Sequence, residues 1–129
     1  MKRKVFWVIL FLIIAIFLSG CLEAKTLSAD IVIEDWYQNY NEYFGEWDDF
    51  VEVEFKIFNT GNTEISHYLI WFTAYCEDGS SYEDWINGLY VEVGHYNFGT
   101  CFIDVGKNKK VISVEATDWK LEYYDYPNQ

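Results

Sequence analysis

Residues 50–58 read Phe50-Val51-Glu52-Val53-Glu54-Phe55-Lys56-Ile57-Phe58. Val51, Val53, Phe55 and Ile57 fall on one side of an extended chain, and Glu52, Glu54 and Lys56 on the other. Successive side chains of a strand point to opposite faces, so this period of two predicts a strand with one face on a core and one in water. Asn59-Thr60-Gly61-Asn62 then predicts a turn, because glycine and asparagine tolerate positive φ. Residues 66–76 are apolar on both faces, with Tyr68, Ile70, Phe72 and Ala74 against Leu69, Trp71 and Tyr75. Such a strand is predicted to be central and covered on both sides. Glu77-Asp78-Gly79-Ser80 predicts the next reversal.

The pattern extends in both directions. Residues 29–37 alternate in part, Ile31 and Ile33 opposed by Asp30 and Glu34, and predict a first strand. Residues 38–49 are rich in Asn, Gly and Asp and predict a loop, an unusually aromatic one. Residues 82–86 predict a short edge piece, Asn87-Gly88 a turn, and residues 89–93 a strand ended by Gly94. Residues 96–105 and 110–119 predict the last two strands. The tail 120–126 extends the final one weakly, up to Pro127. No stretch after residue 20 has helical periodicity, and no repeat or linker divides the chain. Six or seven strands separated by turn signals predict an all-β fold, an antiparallel β-sandwich of about seven strands.

The first 20 residues are of another kind. Lys2-Arg3-Lys4 precedes an unbroken apolar run of 14 residues, 5–18, and Leu18-Ser19-Gly20-Cys21 follows. A basic head, a short apolar middle and small residues before a cut form the pattern of an export signal, and a spanning helix needs about 20 residues. The tetrad resembles the lipobox of prokaryotic lipoproteins, in which the cysteine receives a diacylglycerol thioether and becomes the new N-terminus. The resemblance implies a signal peptide over 1–20, a lipidated tether over 21–27, a domain over 28–129, and a place on the extracytoplasmic side of the cell membrane, anchored through Cys21. Two acyl chains anchor stably where one holds only weakly.

Removing residues 1–20 takes away three of nine basic residues and none of the 21 acids, which leaves a net charge of −15. That charge excludes nucleic acid as a partner, since phosphates demand a basic face. No polybasic patch follows Cys21 to hold anionic headgroups. Acidity of this degree accompanies disorder in chains poor in aromatics, but this one is 21% aromatic and has the material for a packed core.

Residues 51–62 followed by the apolar strand that ends Tyr75-Cys76-Glu77-Asp78-Gly79 resemble the small immunoglobulin-like modules of prokaryotic surface proteins, of which FxLYD and CARDB are the nearest. The resemblance implies an immunoglobulin-like sandwich that serves adhesion, spacing or assembly, with no catalytic residues. Once Cys21 is lipidated, an exported domain retains one cysteine pair, Cys76 and Cys101, which predicts one disulfide. The immunoglobulin-like topology implies that the two lie on neighbouring strands of one sheet. A zinc site with His67 and His95 is the competing assignment. Spacing opposes it: nine positions along one strand separate His67 from Cys76, roughly 30 Å.

Three further clusters bear on function. Trp36, Tyr37, Tyr40, Tyr43, Phe44 and Trp47 crowd one stretch, with Asn39, Asn41 and Glu42 between them. Exposed, such rings anchor a protein partner or stack on sugars; folded back, they form a lid on the sandwich. Glu77, Asp78, Glu83 and Asp84 offer oxygens to calcium without the spacing of an EF-hand. No nucleophile elbow, phosphate loop or zinc-protease motif occurs. The expectation is a binding or structural module, not an enzyme, with no cofactor. Its first predicted role is contact with a surface protein or envelope assembly, its second glycan or cell-wall binding through residues 36–47, and its third calcium-dependent adhesion.

Overall fold

The computed structural model describes residues 24–125; the expected export signal over 1–20, Cys21 and Pro127 lie outside them. The described residues form strands β1 (Ala29–Tyr37), β2 (Tyr40–Asn41), β3 (Glu46–Trp47), β4 (Phe50–Asn59), β5 (Ile65–Cys76), β6 (Ser81–Val91), β7 (Tyr96–Asp104) and β8 (Val111–Glu122), with no helix among them. Two three-stranded antiparallel sheets, β1-β4-β7 and β6-β5-β8, pack as a β-sandwich, and β2 and β3 make a separate hairpin.

The alternation of residues 50–58 becomes this packing directly. Val51, Val53, Phe55 and Ile57 are all buried, and Ile70, Phe72 and Ala74 of β5 meet them from the other sheet. The Phe55 and Phe72 rings lie 5.1 Å apart at the centre. Burying one such side chain contributes about 1.5–3 kcal/mol. β5 is the central strand of its sheet, as its composition predicts. Its outward residues Leu69 and Trp71 are only half-buried: Trp71 stands between Trp85 and Asp118 in the ladder, and no third layer of described residues covers it.

Two expectations are corrected. The predicted turn at Asn87-Gly88 does not form, and β6 runs unbroken through it, Gly88 opposite Tyr68. The reason is tertiary. The Tyr68 ring lies over Gly88 so closely that a Cβ there would sit 2.1 Å from it. Gly99 of β7 lies under Phe55 in the same way, with 2.4 Å to a hypothetical Cβ. β6 and β7 are edge strands that approach each other along one margin of the sandwich, and each yields space to an aromatic ring from the centre of its own sheet. The irregular backbone of β6 comes later, at Tyr90, whose φ is +54° and whose carbonyl accepts from Asn97 Nδ2 at 3.0 Å.

The second correction concerns the cysteines. β5 pairs with β6 and β8, and β7 with β4, so Cys76 and Cys101 belong to opposite sheets. Both are buried free thiols, with no disulfide between them. Burial, followed by the nearby Asp84 carboxylate, pushes the Cys101 thiol up to about 11.

The strands define two poles. At one, a strap over residues 24–28 binds the β4–β5 turn: Thr26 N–H donates to Asn62 Oδ1 at 2.7 Å, and Thr60 N–H to Ser28 O at 3.0 Å. Buried Asn59 ties this end together, donating from Nδ2 to Thr63 O and Val91 O and accepting from Gly61 N–H. The end of β8 returns to this pole, where Lys25 Nζ lies 4.3 Å from the Tyr123 ring centroid. The opposite pole carries the β2–β3 hairpin.

Candidate functional site

Residues 38–49, expected as a loop, hold that small hairpin, and one side chain fixes it. Gln38 Oε1 accepts from Val111 N–H at 3.0 Å, while its Nε2 donates to Lys109 O at 2.6 Å and Asp48 O at 2.8 Å. A single amide thus joins the end of β1 to both the hairpin and the β7–β8 turn. Trp47 N–H donates to Asn108 Oδ1 at 3.2 Å from the same turn. At the tip, Asn41 Oδ1 accepts from Tyr43 N–H and Phe44 N–H, and Gly45 takes φ +64°. This is the local side-chain bonding that makes asparagine a turn residue.

The six rings of this stretch do not act as one group. Trp36 packs against the core. Tyr37 lies on the outer face of its sheet, its hydroxyl donating to Glu52. Tyr40 and Trp47 pair across the hairpin, centroids 4.8 Å apart, and Lys110 Nζ lies 5.8 Å from the Trp47 ring. Tyr43 and Phe44 meet edge to face at 5.0 Å and project outward, 89% and 68% exposed. Of the six rings only Trp36 packs against the core, and Tyr43 and Phe44 make an open surface at the tip.

Beside the hairpin, Trp47, Glu77, Asp78, Asn108, Lys109 and Lys110 line a shallow cleft. Its charges are already matched. Lys109 pairs with Asp78, and Lys110 Nζ lies 3.2 Å from Glu77. Lys109, helped by Ser80, holds the Asp78 carboxyl well below the ordinary carboxylate range. The pair therefore adds stability above the ordinary carboxylate pKa and loses it as the pH falls through the depressed one. Glu83 and Asp84 lie on β6 with opposite exposure, Glu83 outward and Asp84 half-buried opposite Phe72. The structure does not bring Glu77, Asp78, Glu83 and Asp84 together for calcium. Among the described residues no group of three or more His, Cys, Asp or Glu could hold a metal. His67 Nδ1 sits 3.7 Å from Glu122, and His95 lies in the open 3.9 Å from Glu92, so neither joins a cysteine.

A second aromatic surface escaped the sequence reading. The outer face of β1-β4-β7 exposes Phe50, Phe58, Tyr96, Phe98 and Phe102 around Glu52, Glu54 and Lys56. The signal was present: Phe50 and Phe58 fall on the polar side of the very alternation that identifies β4. No protein-family model matches the chain, and no curated protein or solved structure matches it.

Proposed function

We propose that this chain is a lipid-anchored, extracytoplasmic immunoglobulin-like module that binds a surface protein through its hairpin pole. The six long strands support the fold assignment: the first, second and fifth form one sheet and the third, fourth and sixth the other, the partition expected of an immunoglobulin-like sandwich that lacks a final strand. Catalysis has no place in this reading.

One observation carries it. Tyr43 and Phe44 project at the pole opposite the strap, and Cys21 precedes the strap by only a few residues. An acyl anchor on Cys21 would hold the strap pole at the membrane and turn the rings outward. Strands of 9–12 residues separate the poles by roughly 30–40 Å. Exposed aromatic anchors carry a large share of interface energy.

The test is cross-linking of the native lipidated protein in its own membranes, with a photoreactive residue at Tyr43 or Phe44. One recurrent protein partner, lost with Tyr43→Ala and Phe44→Ala together, is the expected result. Scattered neighbours would overturn it and favour glycan binding by the same rings. Cys21→Ser should leave the domain folded and release it from the membrane fraction.

A further inference from the structure

The outer face of β1-β4-β7 is built in rows across its three strands. In one row Lys56 is flanked by Val32 and Phe98, and its ammonium lies 3.8 Å from the Tyr96 ring centroid and 5.6 Å from that of Phe98. The chain thus supplies this part of the face with its own cation. Four residues back along β4 the row is Tyr37–Glu52–Phe102. Here two rings flank the centre, where the Lys56 row has one ring and a valine, and the central side chain is a carboxylate.

That row opens into a recess of about 110 Å³ lined by Tyr37, Asn39, Asp48, Phe50, Glu52 and Phe102. The three rings are 44%, 51% and 55% exposed in the order Tyr37, Phe50, Phe102. The Tyr37 hydroxyl donates to Glu52 and fixes its carboxylate beside the ring. No lysine, arginine or histidine lines the recess, and among the described residues neither Glu52 nor Asp48 has an ion-pair partner.

We propose that this recess binds an organic cation, an alkylammonium or guanidinium head group. Ring faces carry negative quadrupole charge and attract cations, most strongly those that give up water easily. Glu52 and Asp48, both among the lining residues, add Coulombic attraction. Calcium is a poor fit, because it requires six to eight oxygen ligands and three of the six lining residues are aromatic. The volume suits one small head group. The Lys56 row shows the same face already holding an ammonium over its rings. The site depends only on the sheet's outer face and stands whether or not the hairpin tip contacts a protein.

The test titrates the full-length chain in detergent micelles with tetramethylammonium chloride and with methylguanidinium chloride at constant ionic strength, read by NMR of the aromatic side chains. Saturable shifts confined to Tyr37, Phe50 and Phe102, with Trp85 unmoved, are expected. Phe102→Ala should weaken binding roughly 2- to 5-fold, and Glu52→Gln, which keeps the shape of an outward side chain, should weaken it as well. Tighter binding of tetramethylammonium would identify a methylated solute as the ligand class, and tighter binding of methylguanidinium an arginine side chain. Equal shifts with sodium chloride, or unchanged binding in both variants, would overturn the proposal. A cross-linked partner without cation binding would sink this site alone, and cation binding without a partner would sink only the hairpin reading.

Discussion

Gln38 concentrates more of the fold's economy than any ring near it. Its amide bonds three backbone groups, and one of them, the N–H of Val111, belongs to a buried residue. A buried donor stripped of its acceptor costs about 1–3 kcal/mol. Gln38→Ala is therefore expected to lower unfolding free energy by about that amount in urea denaturation. It should also loosen the hairpin enough to speed amide exchange at Asp48, whose N–H donates to Asn39 O. A stability loss with unchanged exchange at Asp48 would mean that the hairpin holds itself without the clamp. Cys101 shows the opposite kind of residue, one whose environment silences it. With its thiol pushed up to about 11, it stays protonated at neutral pH, and burial keeps reagents away.

Among the elements, β6 is the most instructive, because an aromatic ring decides its course. The Tyr68 ring occupies the space that a side chain at residue 88 would need. Gly88→Ala should cost about 1–3 kcal/mol by overpacking, and the cost should shrink in a Tyr68→Ala background. Additive costs in thermal unfolding would rule the ring out as the cause. The same contact explains what was and was not legible in the sequence. β4 is readable because its alternation reports a half-buried strand, a local consequence of a global position. Asn87-Gly88 carries an equally strong local signal for a turn, yet the glycine serves a residue 20 positions earlier, which no local pattern encodes. The sheet membership of Cys76 and Cys101 was illegible for a related reason, since it depends on which long strands cross from one sheet to the other. Residues 36–47 were recognisable as aromatic. Their division into core, outer face and tip follows from the Gln38 clamp and the hairpin it holds.

At the scale of the molecule the dominant fact is charge. The full chain carries −12, and Lys109, Lys110 and Lys120 are already committed to carboxylates. Exposed ion pairs of this kind each contribute little, about 0–1 kcal/mol, so self-repulsion should outweigh them. Screening contracts from about 30 Å at 0.01 M salt to about 3 Å at 1 M. The Tm is therefore expected to rise with sodium chloride over that range, by on the order of 4 °C for each kcal/mol of relieved repulsion. A fall would mean that the lysine pairs outweigh the repulsion.

The two poles also fix how the molecule would bear a load. A pull applied between the strap and the hairpin tip runs along the strands. The ladder bonds of β1 and β4 lie across that direction, and eight residue pairs join the two strands. Strand β1 joins the strap to the hairpin as one extended segment, so such a force is carried by its covalent backbone and leaves the rungs to β4 unloaded. Traction from the hairpin end would meet the stiffest axis of the sandwich, whereas a sideways pull on β8, bonded along one edge only, would unzip it rung by rung.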